Sequence, residues 1–140
     1  MMEELAGALA AEEAAIYAYG LIGVHLEDDE QERARTAEQQ HRVRRDGLVD
    51  RLDELKASTA PAPAGYRLPF EVTDRETALK LAVHVEDGVA QAWRTLLPVT
   101  EDADRDDALS ALTESAVRAT RWRRIAEVTP LTLAFPGRPG

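Results

Sequence analysis

Apolar residues recur every three or four positions over four long stretches of this chain, and in three of them a charged side chain stands where the pattern asks for a leucine. The first stretch, from about residue 3 to about 25, lines up Leu5, Leu9, Glu12, Ile16, Tyr19 and Gly23, with Glu13 at the edge of that face. In the second, about 29 to about 56, one face carries Ala34, Glu38, His41, Arg45, Leu48, Leu52 and Leu55. The third, about 74 to about 97, reads Leu79, Val83, Glu86, Ala90, Trp93, Leu97. The fourth, about 104 to about 127, has its stripe through Leu109, Leu112, Thr113, Ala116 and Thr120, which leaves Glu114 off the inner face.

The punctuation between these stretches suits four helices. Asp28 offers an N-cap with Gln31 in a capping-box position, Thr73 or Asp74 starts the third helix, and Pro98 follows its end. Acids open the fourth helix and Arg118, Arg121, Arg123 and Arg124 lie towards its close, which complements the helix dipole. The short first connection makes helices 1 and 2 antiparallel neighbours and brings Glu12 and Glu13 level with His41.

The connection from Ser58 to Thr73 contains Pro61, Pro63, Gly65 and Pro69. Fully extended it reaches about 50 Å, against about 40 Å for helix 2, so it can return along the whole bundle. Tyr66, Leu68 and Phe70 are its expected anchors. The pattern therefore predicts one all-α domain over 1–140, an up-down-down-up four-helix bundle with a long crossover between helices 2 and 3. The tail, 129–140, sets Leu131, Leu133 and Phe135 among three prolines and is expected to pack on the bundle or on a partner.

Composition narrows the chemistry. With 140 residues there is room for one core, and no cysteine is present for disulfides, thiolate chemistry or sulfur-ligated metal. A net charge of −9 argues against nucleic acid and anionic membranes as partners. The apolar run near Ile16 to Val24 is short for a membrane span, and the acidic start lacks a secretory signal, so a cytoplasmic protein is expected. Leu21, Ile22 and Leu26 widen the apolar surface of helix 1 beyond its core stripe, which predicts a homodimer contact there.

An inward Glu on helix 1, Glu38-x-x-His41 on helix 2 and Glu86 on helix 3 resemble the ferritin-like superfamily. Within it, Ala10-Ala11-Glu12-Glu13-Ala14-Ala15-Ile16-Tyr17-Ala18-Tyr19-Gly20, His41-Arg42-Val43-Arg44-Arg45-Asp46, Leu68-Pro69-Phe70, Glu86-Asp87-Gly88, Ala119-Thr120-Arg121-Trp122-Arg123 and Ala134-Phe135-Pro136-Gly137 look like a ferritin-like domain family of unknown function from high-GC actinobacteria. That resemblance implies a ferritin-like fold and carries no established activity. It implies metal ligands at Glu12, Glu38, His41 and Glu86, and asks for a second Glu-x-x-His where helix 4 offers Glu114-Ser115-Ala116-Val117. The second histidine is missing.

Two functional classes follow. One is a metal-free helical binding or assembly module on a remnant site, with no cofactor. The other is a di-iron or di-manganese carboxylate oxidoreductase of the ferroxidase kind. The incomplete helix 4 favours the first, with Arg45, one turn beyond His41, expected to pair with the inward carboxylates in place of a metal. Tyr19 and Trp93 read as packing residues, and His25 and His84 as solvated ones.

Overall fold

The computed structural model describes residues 1–139, and those residues form four long helices and no strand. Helix α1 spans Met2–Ile22 and is prolonged by a 3-10 turn at Gly23–His25; α2 spans Asp28–Glu54, α3 Arg75–Arg94 and α4 Asp102–Ile125, with a second 3-10 turn at Leu97–Val99. Pro98 lies in that second turn, so the third helix stops earlier than its apolar pattern suggests.

Side-chain pairs give the direction of each helix. Glu30 meets Arg75 and His41 meets Glu86, a constant offset that makes α2 and α3 parallel. Arg44 meets Glu114 and Arg51 meets Asp104, so α2 and α4 are antiparallel. Glu12 meets Trp93 while Tyr19 meets Glu86, which makes α1 and α3 antiparallel as well. The bundle is up-down-down-up, as the long crossover requires.

Two apolar layers close the ends. Leu5, Leu9, Leu48, Leu52, Trp93 and Leu96 fill one, and Ile22, Leu26, Ala34, Leu79, Leu81 and Trp122 fill the other. Between them lies a polar layer. Asp74 caps α3 in a reciprocal capping box with Thr77. Gln31 does not complete a capping box on α2; its amide donates instead to the carbonyls of Gly23 and Leu26, which ties down the turn between α1 and α2.

The crossover returns along the bundle with Leu68, Phe70 and Val72 packed against the second apolar layer, and the Tyr66 ring sits 5.2 Å from that of Tyr17. In the tail, Gly137 rather than the apolar residues does the anchoring. It is buried against α3 and α4 in a left-handed conformation (φ 79°), and Arg94 Nη1 donates to the Pro136 carbonyl at 2.9 Å. Phe135 remains 57% exposed.

Two sequence readings need correction. Ile22 and Leu26 are 0% and 2% exposed, because the start of α2 and the crossover cover them within one chain, while Leu21 is half-buried; two of the three residues expected at a homodimer contact are therefore internal. The stretch Met2–His25, in which an 18-residue window has a mean hydropathy of 1.3, is long and apolar enough to cross a membrane by length and composition, more so than its central apolar run suggests. Its inner face nonetheless carries the buried carboxylate of Glu12 into the bundle core.

Candidate functional site

The polar layer is built from one residue of α2 held between two carboxylates. His41 faces inward because Ala34, Ala37, Leu48 and Leu52 share its face of α2. Its Nδ1 donates to Glu12 Oε2 at 2.5 Å and its Nε2 donates to Glu86 Oε2 at 2.8 Å. Glu12, His41 and Glu86 are all at or below 1% exposure, so these charged bonds form almost without water.

Other side chains complete the layer. Trp93 Nε1 donates to Glu12 Oε1 at 2.7 Å, the Tyr19 hydroxyl donates to Glu86 Oε2, and Trp122 Nε1 donates to the Tyr19 oxygen at 2.9 Å. From α4, Arg118 Nη1 donates to Glu86 Oε1 at 3.1 Å and Nη2 donates to Gln40 Oε1. Every carboxylate oxygen of Glu12 and Glu86 thus accepts at least one bond. The result is a continuous chain from Trp93 through Glu12, His41, Glu86 and Tyr19 to Trp122.

The electrostatics follow from this geometry. Burial works against the His41 imidazolium, but the hydrogen bonds and charges of Glu12 and Glu86 outweigh it and push its pKa up to about 9. Burial likewise opposes ionisation of Glu86, yet His41 and Arg118 hold its carboxyl below the usual range. The Tyr19 hydroxyl is pushed well above its ordinary value by burial and by the adjacent Glu86. At neutral pH two carboxylates face one imidazolium and one guanidinium, and the layer is self-neutralised.

The structure brings together only part of the set proposed from sequence. Glu12, His41 and Glu86 converge; Glu13 lies half-buried at the edge. Glu38 turns away from the layer, with Arg42 3.7 Å from its carboxylate, because α2 presents Ala37 and His41 inward and leaves position 38 at the margin. Arg45 also fails to reach the carboxylates: it pairs with Asp46 at 2.9 Å, and the guanidinium in the centre is Arg118. Glu114 sits at the bundle surface, joined to Arg44 at 2.7 Å and to Arg118 at 3.6 Å. The polar roles of Tyr19, Trp93, Trp122 and Arg118 were not read from the sequence.

Arg118 was missed because the α4 stripe is rotated from its expected position. Ala108, Ala111, Leu112, Ser115, Ala119, Trp122 and Arg123 are buried, whereas Leu109 is 52% exposed. Small residues at three- and four-residue spacing, ending on Trp122, were the available signal.

A carboxylate-bridged metal pair needs lone pairs aimed at common points in space. Here those lone pairs accept N–H and O–H bonds, both nitrogens of His41 donate, and a guanidinium occupies the α4 side. Among the described residues no group of three or more His, Asp or Glu side chains is arranged to hold a metal ion. As arranged, these residues do not fit a di-metal cluster.

The fold and its centre define an all-helical, up-down-down-up bundle organised around a buried network of charges. A family model described as a domain of unknown function (DUF4439) matches residues 4–140, and the chain belongs to that family. It is also similar to the crystal structure of a conserved hypothetical protein, rv2844, from Mycobacterium tuberculosis, at 41% identity and a TM-score of 0.84 over 88% of this chain and 94% of that one. No curated protein matches the chain.

Proposed function

We propose that this chain is a ferritin-like bundle in which charge pairing stands where a metal layer would be, and that it works as a metal-free helical binding or assembly module. The observation that carries this reading is Arg118, whose guanidinium supplies a permanent positive charge to Glu86 at 3.1 Å. With His41 it offsets both buried carboxylates, so the layer needs no further cation. The net charge of −9 supports a reading without nucleic acid as a partner.

Metal analysis tests this. Protein purified without chelator and then reconstituted with Fe(II), Mn(II) or Zn(II) should hold no stoichiometric metal. Two tightly bound ions with ferroxidase activity would overturn the reading. They would restore the second one, a di-iron or di-manganese oxidoreductase, whose support is the convergence of Glu12, His41 and Glu86 from three helices. That alternative requires Arg118 to withdraw and Glu38 to swing inward.

A further inference from the structure

Between α2 and α4 the surface opens into a recess of about 360 Å³. Trp122, 2% exposed, lies at its floor with the half-buried Ile125 beside it, and Arg33, Arg118 and Arg121 line the recess together with Gln40. Asp29 and Glu32 also border it, and Glu32 is engaged by Arg35 at 3.3 Å.

Among the described residues Arg33 and Arg121 stand outside the ion pairs that engage many of the arginines, as do Arg67, Arg94, Arg105, Arg124 and Arg138, but these two face one recess. Arg35, Arg42, Arg44, Arg45, Arg51, Arg75 and Arg123 each pair with a carboxylate. Arg33 and Arg121 are exposed, and among the described residues neither has an acidic partner within 4.0 Å. Arg118 gives Nη1 to Glu86, but its Nη2 donates to the uncharged and exposed Gln40 oxygen. Two unpaired guanidiniums thus meet over an apolar floor beside Arg118 Nη2, which Gln40 holds 3.6 Å from Glu114 Oε1, in a chain whose net charge is −9. A solvated basic helix end would explain Arg121 alone. It does not explain Arg33 on a different helix facing the same recess.

We propose that this recess binds a small organic oxyanion carrying a flat apolar body, an aryl carboxylate or aryl phosphate. The body lies on Trp122 and Ile125, and the oxyanion lies between Arg33 and Arg121. One oxygen displaces Gln40 from Arg118 Nη2, a donor suited to fork-like recognition of such groups. The volume falls in the range of small-molecule sites. Because Trp122 donates to Tyr19 and Arg118 to Glu86, occupancy is felt in the buried network. The inference deepens the binding-module reading by giving it a ligand class.

The test is a calorimetric titration of the full chain with phenyl phosphate and benzoate, with inorganic phosphate and benzyl alcohol as halves of the ligand, followed by NMR of the two indole N–H signals. One aryl anion or both should bind saturably at one site and shift the Trp122 indole signal. Arg33→Ala and Arg121→Ala should each weaken that binding at least about tenfold, about 1.4 kcal/mol, with no change in Tm. Which aryl anion binds more tightly separates a phosphate from a carboxylate ligand. The proposal is overturned by an absence of saturable binding up to about 10 mM, by binding that both variants retain, or by either half of the ligand binding as tightly as the whole. Metal content is read separately on the same sample, so failure here is distinct from failure of the metal-free reading.

Discussion

Arg118 reaches Glu86 across 3.1 Å from a helix whose leucines do not announce it, and this contact closes the charge balance of the core. Glu86 itself is 0% exposed, so removal of its fixed cation leaves a buried carboxylate with His41 as its one remaining cation and Tyr19 as a neutral donor. Arg118→Ala should destabilise the bundle by about 3 to 5 kcal/mol in denaturant unfolding. Arg45→Ala removes only a surface pair with Asp46 and should fall within about 0.5 kcal/mol of the parent. Equal effects of the two substitutions would refute the assignment of Arg118 as the central cation.

Tyr19 joins the charged layer to Trp122, donating to Glu86 while its oxygen accepts from the indole. Tyr19→Phe keeps the ring and strands the Trp122 N–H in the core, with one bond fewer on Glu86. The expected loss is about 1 to 3 kcal/mol by chemical denaturation. An unchanged midpoint would mean that the hydroxyl serves packing alone.

The helices, their order and the crossover were legible because each rests on a local signal: periodicity, an Asp74 cap, prolines after Ser58. Glu12, His41 and Glu86 were legible for a related reason, since a polar residue on an apolar stripe stands out once the stripe is placed correctly. Glu38 and Arg45 lie at the margins of their stripe, where an angular error of one residue decides between core and surface. Helix α4 buries mainly alanine, Ser115 and Trp122 while exposing Leu109, so weighting by leucine rotated its face and hid Arg118. The cover over Ile22 and Leu26 comes partly from the distant crossover, and no local pattern in helix 1 carries that information.

Gly137 holds the tail in the groove between α3 and α4. A Cβ there would come within 2.7 Å of the Ala90 carbonyl oxygen, and the positive φ of 79° adds strain for any L residue. Gly137→Ala should detach the tail and cost about 1 to 3 kcal/mol, while leaving the helical circular dichroism of the bundle intact. Limited proteolysis should then cut within residues 129–136 faster than in the parent. Equal cleavage rates would show that the tail is held by other contacts.

The pH dependence of stability is set by the same layer. His41 has a folded pKa of about 9 against an ordinary 6.5, so its contribution is fully present below about pH 6.5 and is lost as the pH rises through 9. The shift corresponds to stability on the order of 3 kcal/mol. Glu86 has the opposite sign: its folded pKa is depressed, so its contribution is present above its ordinary value of 4.5 and is lost as the pH falls further. The unfolding free energy should therefore be greatest between about pH 5 and pH 6.5 and decline on both sides. Arg118 stays charged throughout, which keeps Glu86 paired after His41 has lost its proton. His41→Gln should lower Tm at pH 6 and remove most of the alkaline decline, because the titrating cation is gone while hydrogen-bonding capacity remains. An alkaline decline of the same size in His41→Gln would place its origin outside the Glu12, His41 and Glu86 layer.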